Sequence, residues 1–275
     1  MTSTGHPTGL TNPALAVTAA TPAARQIPLF ARKALIEFPP QQPSADSMGE
    51  VEADDQHLYY IKGDAHGRPV RASEWICNHL AEEIHIGAPA PMVIERLNGE
   101  TVFGSRRIGG VSDQIITARY LLTQTYSNVQ SSAPGLQAIL SSIYAMDMFL
   151  FNDDRHLGNY LTIDDNGVRR LYAFDFSRAL YWHWPWQGFP PLSSNTRKCG
   201  SILWQMHGFD PAAAMGTLDR IAGLAPATLQ GFISRMPSDW LPDPIRAELM
   251  DWWGNGGRTS RLQTLRMGIT DGTLL

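Results

Sequence analysis

Apolar and polar residues alternate in several short stretches near the start of the chain, and this alternation predicts strands. Residues 27–38 (IPLFARKALIEF) and 57–63 (HLYYIKG) show it, with the aromatic and branched residues that are typical of strands. Residues 90–108 predict two more short strands, joined at Asn98-Gly99, a dipeptide that favours a tight hairpin turn. We therefore expect a strand-rich first part that starts near Ile27.

Helical periodicity interrupts this pattern once and dominates after Ser112. Residues 71–86 predict a helix that ends before Gly87-Ala88-Pro89, and residues 136–150 are apolar on most faces, as in a buried central helix. Residues 200–266 predict further helical segments, broken at Pro211, Pro226, Pro237 and Pro242. The pattern as a whole predicts an α+β protein with a strand-rich first part and a helical second part.

A hairpin in the middle of the chain carries the densest polar chemistry. Residues 160–163 and 168–174 predict its two strands, and Asn166-Gly167 favours a type I′ turn between them. That turn pairs Asp165 with Val168, and the register then places Asn159 opposite Phe174. Asn159 and the residue after Phe174, Asp175, should therefore lie side by side at the open end of the hairpin.

Asp154, five residues before Asn159, lies in the loop that leads into the hairpin. Two carboxylates and a carboxamide thus converge, and such oxygen ligands suit Mg²⁺ that is bridged to phosphates. Protein kinases space their catalytic residues in this way, as D-x-x-x-x-N followed by D-F-G after a hairpin. Here Asp175 opens the sequence Asp-Phe-Ser, and the loop reads Asp154-Arg155-His156.

Composition and charge limit the alternatives. The chain has 275 residues, of which 43% are hydrophobic and 17% charged, enough for a substantial core. A net charge of −4 and a pI near 6.0 argue against general nucleic-acid binding, although a local basic groove stays open. Two cysteines without a C-x-x-C pair argue against a disulfide framework or zinc site and favour a reducing, cytoplasmic location. No apolar run suits a membrane span, and no secretory signal is expected.

The Asp-Arg-His loop resembles that of phosphatidylinositol kinases and of the bacterial HipA-like kinases. The stretches YYIKG, RASEWICNHLAEEIHIGAPAP and VFGSRRI resemble the lysine strand, the following helix and the hinge strand of the HipA-like family. The stretch RMPSDWLPDPIRAELMDWWGNGGRTSRLQTL resembles its closing helices, so that the similarity covers most of residues 28–266. The resemblance implies a bilobed protein-kinase-like fold, with a small strand-rich N-lobe at 26–110 and a larger helical C-lobe at 111–275.

The resemblance also implies roles for individual residues. Lys62 would contact the phosphates of ATP, and Glu74, which the helical wheel places towards either the cleft or water, would orient Lys62. Asp154 would be the catalytic base or would position the acceptor hydroxyl, and Asn159 and Asp175 would be the metal ligands, with ATP and Mg²⁺ as cofactors. His156, in the same loop, is expected to brace the loop rather than to react.

One departure from the eukaryotic kinase pattern concerns the glycine-rich loop. Residues 39–50 (PPQQPSADSMGE) predict a loop that contains only Gly49, although HipA-like kinases also lack the full glycine motif. Ser44 and Ser47 are candidates for phosphate contact or autophosphorylation, and the alternative is an ordinary solvated loop.

Two further segments have open interpretations. Residues 1–25, dominated by Ala, Thr, Pro and Gly, predict a disordered tail, or a delivery or partner-binding segment. Residues 181–200 combine aromatic residues and prolines after the Asp-Phe-Ser sequence. They predict either packing against the helical lobe or a substrate platform, in which Ser193, Ser194 and Thr196 would be regulatory phosphorylation sites.

The sequence therefore predicts a Mg-ATP-dependent kinase that phosphorylates a hydroxyl group. The family resemblance implies a protein Ser or Thr as acceptor, a toxin–antitoxin context, and an antitoxin or regulatory protein as partner. No membrane or direct nucleic-acid partner is expected. The alternatives are a small-molecule or lipid kinase, and a nucleotide-binding pseudokinase that acts as an interaction module. The complete set of Asp154, Asn159 and Asp175 argues against the pseudokinase.

Overall fold

The structure is a computed structural model that describes residues 31–40, 46–123, 135–165 and 168–275. Four predictions lie outside the described residues: the tail at 1–25, the chain start near Ile27, the role of Ser44, and the Asn166-Gly167 turn. In the described part, a strand-rich N-terminal portion precedes a helical C-terminal portion, as the hydrophobic pattern predicts.

Five strands of the N-terminal part close into a small barrel in the order β1-β2-β3-β5-β4. Neighbouring strands are antiparallel except β1 and β4, whose parallel pairing closes the barrel at Arg32 and Lys33 of β1. The strands are β1 (Arg32–Phe38), β2 (Ser47–Ala53), β3 (Leu58–Lys62), β4 (Pro91–Glu95) and β5 (Thr101–Arg106).

The prediction of a loop over residues 39–50 is wrong for residues 47–50, which begin β2. Gly49, Val51 and Ala53 alternate as its buried face, and the small side chains of Val51 and Ala53 pack in the core of the barrel. A bulge between Ser47 and Gly49 shifts the register against β3. Gly49 has φ +106°, and a Cβ there would lie 2.0 Å from the Phe38 carbonyl oxygen, so only glycine fits.

Helix α1 (Val70–Glu83) connects β3 to β4 and packs its apolar face into the main core. The helix ends before the predicted boundary at Ile86, because His85 adopts a left-handed backbone conformation with φ +63°. Gly87 follows in the loop to β4, and its carbonyl accepts a hydrogen bond from Ala173 N. The loop after α1 is thereby attached to the hairpin in the C-terminal part.

The central hairpin has the predicted register. Strands β6 (Tyr160–Asp165) and β7 (Val168–Ala173) are antiparallel, and Asp165 pairs with Val168. The register continues to Phe174, whose N–H donates to the Asn159 carbonyl at 3.2 Å. Asn159 and Asp175 consequently lie at the open end of the hairpin, as the turn chemistry predicts.

Several helices of the C-terminal part pack against the apolar helix at Leu136–Phe149. Among the predicted breaks, Pro211 and Pro226 are the first residues of α5 and α6, and Pro242 directly precedes α7. Proline suits these positions because a first-turn N–H has no partner within the helix. The helices are α2 (Gln114–Leu122), α3 (Leu136–Phe149), α4 (Asn195–His207), α5 (Pro211–Gly223), α6 (Pro226–Ser234), α7 (Asp243–Gly254) and α8 (Gly257–Thr270). Across the described ranges, every helix is too short or too polar to cross a bilayer.

Indole and imidazole rings join α1 to the C-terminal part. Trp75 donates its indole N–H to the Phe232 carbonyl at 2.8 Å, and its ring lies edge-on to Trp240. His79 stacks on the Phe232 ring, with 5.2 Å between the ring centroids. The apolar core therefore runs from α1 into the C-terminal helices, and the position of α1 is fixed by both parts of the molecule.

We predict that His79 makes the stability of the protein depend on pH. Burial, helped by the positive charge of Arg235, lowers the pKa of His79 from 6.5 to about 4, despite Glu82 at 3.7 Å. The unfolded chain then binds a proton that the folded chain does not, so stability is lost as the pH falls from 6.5 to 4. The loss attributable to His79 should be about 3 kcal/mol.

Urea unfolding of the wild type and of His79→Phe or His79→Gln, measured between pH 7 and pH 4, provides the test. Neither replacement titrates, so the free energy of unfolding should fall less steeply in both variants. Identical pH profiles in all three proteins would contradict the prediction.

Candidate active site

The Lys62 ammonium group lies at the meeting point of three chain segments. Its Nζ donates to Glu74 Oε1 of α1 at 2.6 Å and to Asp175 Oδ1, beyond β7, at 2.7 Å. Asp46, just before β2, brings a third carboxylate to within 3.4 Å of Nζ. The structure thus brings together Lys62, Glu74 and Asp175, which the sequence analysis identified. It adds Asp46, which the sequence analysis missed.

Glu74 faces Lys62 and not water. Its side chain is 2% exposed, and Oε1 also accepts the backbone N–H of Phe176 at 3.0 Å. Oε2 accepts a hydrogen bond from Asn78 Nδ2, one helical turn further along α1. The helical wheel left cleft and solvent open for this residue, and only the contacts with β3 and the Asp-Phe-Ser segment decide between them.

The protonation equilibria of this cluster reflect its mutual contacts. Burial alone would lower the pKa of Lys62, but Asp175, Glu74 and Asp46 outweigh burial and raise it. Burial would raise the pKa of Asp175, but the Lys62 ammonium and the Ser177 hydrogen bonds lower it well below its ordinary value. Burial raises the pKa of Glu74. The attraction to Lys62 does not reverse this rise, because repulsion from Asp175 partly cancels it. Lys62 and Asp175 are therefore held as an ion pair.

The Asn159 side chain is oriented by the loop that carries Asp154. Asn159 Nδ2 donates to the Asp154 carbonyl oxygen at 3.1 Å, which leaves the amide oxygen Oδ1 for another partner. A carbonyl oxygen can only accept, so this hydrogen bond fixes which way the amide points. Asp175 has a positive φ of 62°, an uncommon backbone conformation for a residue other than glycine, and this turn directs its carboxylate to Lys62.

A buried ion pair, which sequence analysis missed, supports the loop at Asp154-Arg155-His156, called the Asp154 loop below. Arg155 Nε and Nη2 donate to the two carboxylate oxygens of Asp147 at 2.8 and 2.9 Å, and both side chains are nearly inaccessible. Arg155 Nη1 also donates to the carbonyls of Asn159 and Phe174 at the base of the hairpin. The available sequence signal was Asp147 itself, a lone acid within an apolar helix that needs a buried partner.

The first turn of α4 also contacts the Asp154 loop. The buried Thr196 hydroxyl accepts from Arg155 N at 2.9 Å and donates to the Asn152 carbonyl at 2.6 Å. Ser194 is also buried and accepts from Arg197 N as the N-cap of α4. Ser194 and Thr196 thus have structural roles in this arrangement, whereas Ser193 is exposed.

The aromatic residues that follow the Asp-Phe-Ser sequence pack against the helical part. The rings of Trp184 and Trp186 lie edge-on to Trp252 of α7, and Arg261 of α8 lies over the Trp186 ring. These contacts agree with the packing interpretation of the segment. His156 is exposed, and its Nδ1 accepts from Gly158 N at 3.1 Å, so it caps the turn before Asn159 as expected.

The oxygen atoms of Asp175 and Asn159 fit a Mg²⁺ ion whose other ligands are phosphate oxygens. Within the described residues, no group of three or more His, Cys, Asp or Glu side chains could hold a metal ion by itself. Asp175 and the free amide oxygen of Asn159 supply one carboxylate and one neutral oxygen, and Mg²⁺ in phosphotransferases takes one or two carboxylates together with phosphate oxygens. Lys62 lies beside Asp175, where it can bind the same phosphates.

We predict that Asp147→Asn destabilises the protein by about 3–5 kcal/mol, because it leaves the Arg155 charge buried without its counterion. Asp219→Asn is the matched control, since Asp219 pairs with Arg266 at 2.7 Å on the surface. Removal of that exposed pair should cost less than about 1 kcal/mol. Chemical denaturation of both variants measures the two free energies, and equal small losses would contradict the supporting role of the pair.

The sequence model of a family described as HipA-like kinase matches residues 50–189. No curated protein sequence matches the chain. The solved structure of the proinflammatory kinase CtkA from Helicobacter pylori is similar at 11% identity, over 89% of this chain and 97% of that chain, with a TM-score of 0.46.

Two other solved structures have comparable similarity. HipA from the Shewanella oneidensis MR-1 toxin–antitoxin system, solved with HipB and operator DNA, is 12% identical over 84% of this chain and 66% of that chain, with a TM-score of 0.49. The N-terminal fragment of LepB from Legionella pneumophila is 12% identical over 79% of this chain and 46% of that chain, with a TM-score of 0.47. These likenesses are remote, and the assignment depends on the family match over half of the sequence, 140 of 275 residues: the chain belongs to the HipA-like kinase family.

Proposed function

We propose that this protein is a Mg-ATP-dependent kinase that transfers phosphate to a hydroxyl group. The observation that carries the proposal is the Lys62 cluster, in which one ammonium group binds Glu74 and Asp175 at 2.6 and 2.7 Å. Glu74 and Asp175 share this single ammonium group in a largely buried place, so that two carboxylate charges meet one positive charge. A divalent cation that arrives with a nucleotide would offset the second carboxylate charge.

The proposed cleft lies between an N-lobe at 26–110 and a C-lobe at 111–275. Lys62 and Glu74 belong to the first, and Asp154, Asn159 and Asp175 belong to the second. Asp175 reaches Lys62 across this division, so the ion pair also sets the distance between the two sides of the cleft.

Each side chain has a distinct task in the proposed reaction. Lys62, oriented by Glu74, binds phosphate oxygens, and Asp175 and Asn159 Oδ1 would hold the metal ion. Bound Mg²⁺ would supply positive charge that neutralises the phosphates. Asp154 orients the acceptor hydroxyl and takes its proton, as a general base does.

The acceptor in this proposal is a serine or threonine of a protein, with an antitoxin or other regulatory protein as a further partner. Both assignments rest on the HipA-like family and not on a described pocket. Labelled ATP incubated with the purified protein, alone and with host lysate, tests them. Label on a protein supports the proposed acceptor, label on a small metabolite or lipid favours the alternative kinase class, and ATP binding without any transfer favours the pseudokinase.

We predict that substitutions at Asp175 and Asp154 separate nucleotide binding from transfer. Asp175→Ala should weaken Mg-ATP binding by about 10–100-fold, because it removes a charged ligand. Asp154→Asn keeps the side-chain shape and should bind Mg-ATP normally but transfer phosphate about 10²–10⁴-fold more slowly.

Calorimetric titration and a phosphotransfer assay measure the two properties, with Asp164→Ala, in the exposed half of the hairpin, as control. Undiminished Mg-ATP affinity in folded Asp175→Ala would remove Asp175 from the metal site. A wild-type transfer rate in Asp154→Asn would remove Asp154 from the reaction.

A second prediction compares two lysines of the barrel. Lys62→Ala should lower phosphate transfer by about 100-fold or more, because it removes the cation that binds the phosphates. Lys33→Ala, on an exposed position of β1, should change little. Phosphate-transfer rates and circular dichroism spectra of both variants are measured together, with Lys62→Met as a second replacement if alanine impairs folding. Equal rates in the Lys62 and Lys33 variants would contradict the assignment.

A further inference from the structure

The carboxylate of Asp154 is held by an amide from outside the Asp154 loop. Asn195, the first residue of α4, donates its Nδ2–H to Asp154 Oδ1 at 2.5 Å. Neither the spacing of the kinase motif nor the family resemblance pointed to Asn195. A short hydrogen bond to an ionised acceptor is among the stronger kinds in proteins.

The main-chain contacts around Asn195 show that this approach is built into the fold. The neighbouring Thr196 bonds to three residues of the loop, through its hydroxyl to Asn152 O and Arg155 N and through its own N–H to Asp153 O at 3.3 Å. These bonds fix the first turn of α4 against the loop on both sides of Asp154. The Asn195 side chain therefore starts from a fixed backbone and needs to order few bonds to reach the carboxylate.

The chemistry of an amide donor has a specific consequence for Asp154. Asn195 Nδ2 donates to Oδ1, which makes Oδ1 a weaker proton acceptor and leaves Oδ2 without this bond. An amide carries no charge, so it fixes the carboxylate without neutralising it. A lysine or arginine at this position would instead become a counterion. The backbone N–H of Asp154 is itself turned towards Asn152 Oδ1, at 3.3 Å, which further orients the residue.

We propose that Asn195 is a positioning residue for phosphate transfer, which fixes the Asp154 carboxylate so that Oδ2 meets the acceptor hydroxyl. This inference rests on the proposed kinase function. In the step concerned, the acceptor O–H bond breaks and its proton goes to Asp154 Oδ2. The acceptor oxygen forms a bond to the γ-phosphorus, the bond from that phosphorus to the β,γ-bridging oxygen breaks, and ADP leaves with the electron pair.

Three variants test this role. Asn195→Ala removes the donor, Asn195→Asp replaces it with a like charge, and Asn255→Ala removes a comparable amide–carboxylate bond, to Asp251, at the end of α7. The probes are Mg-ATP with water and with myelin basic protein as acceptors. We expect both Asn195 variants to lose about 10–100-fold in kcat, because a misplaced base slows transfer. KM for ATP should change less than about twofold, and Asn255→Ala should match the wild type.

A readout that does not depend on turnover uses the side-chain amide of Asn195. Its nitrogen and proton resonances, assigned by their loss in Asn195→Ala, should shift in Asp154→Asn, whereas those of Asn255 should not. In the double variant Asp154→Asn/Asn195→Ala, the rate should equal that of Asp154→Asn alone, because Asn195 acts only through Asp154.

The outcomes separate the inference from the proposed function. An active wild type whose kcat is unchanged by Asn195→Ala would overturn the inference alone, as would unshifted Asn195 resonances in Asp154→Asn. Loss of ATP binding in Asn195→Ala would also overturn it, since the residue would then be structural. A wild type that transfers phosphate neither to these two acceptors nor to any component of the host lysate would overturn the proposed function together with the inference.

Discussion

The buried contact between Arg155 and Asp147 is the interaction on which the arrangement of the site depends. One guanidinium joins helix α3 to the carbonyls of Asn159 and Phe174, and so connects the central helix, the Asp154 loop and the hairpin. Such a charge is costly to bury unless its hydrogen bonds are all satisfied, and a shift of any of these elements would leave it unpaired. The pair therefore favours one relative placement of the three elements.

Lys62 has the corresponding role between the barrel and the hairpin. Its bonds to Glu74 and Asp175 bring α1 and the end of β7 together around one charge. The Lys62 cluster differs from the Arg155 pair because two carboxylates share one ammonium group and Asp175 remains partly accessible. A pair of one cation and one anion stabilises a fixed scaffold, whereas a shared and accessible ammonium group suits the phosphate binding that we propose.

The segment between β7 and α4 connects the last helices to the Asp154 loop. Its aromatic residues pack against α7 and α8, and Thr196, at the start of α4, forms hydrogen bonds with the Asp154 loop. The Asp154 loop is consequently held by Arg155, which joins it to α3 and the hairpin, and by the first turn of α4.

The sequence by itself determined the features that depend on local chemistry. The hydrophobic pattern predicted the strand-rich and helical parts, and the turn chemistry predicted the register that places Asn159 beside Asp175. Closure of the barrel and the start of β2 within a predicted loop were decided by tertiary structure, because the small residues of β2 are buried only when other strands surround them. The orientation of Glu74, and the contacts that Arg155 and Asn195 make, were likewise decided only in the folded chain. A local pattern shows which side chains are polar, but the partner of a buried charge or amide lies far away in the sequence, and only the fold brings the two together.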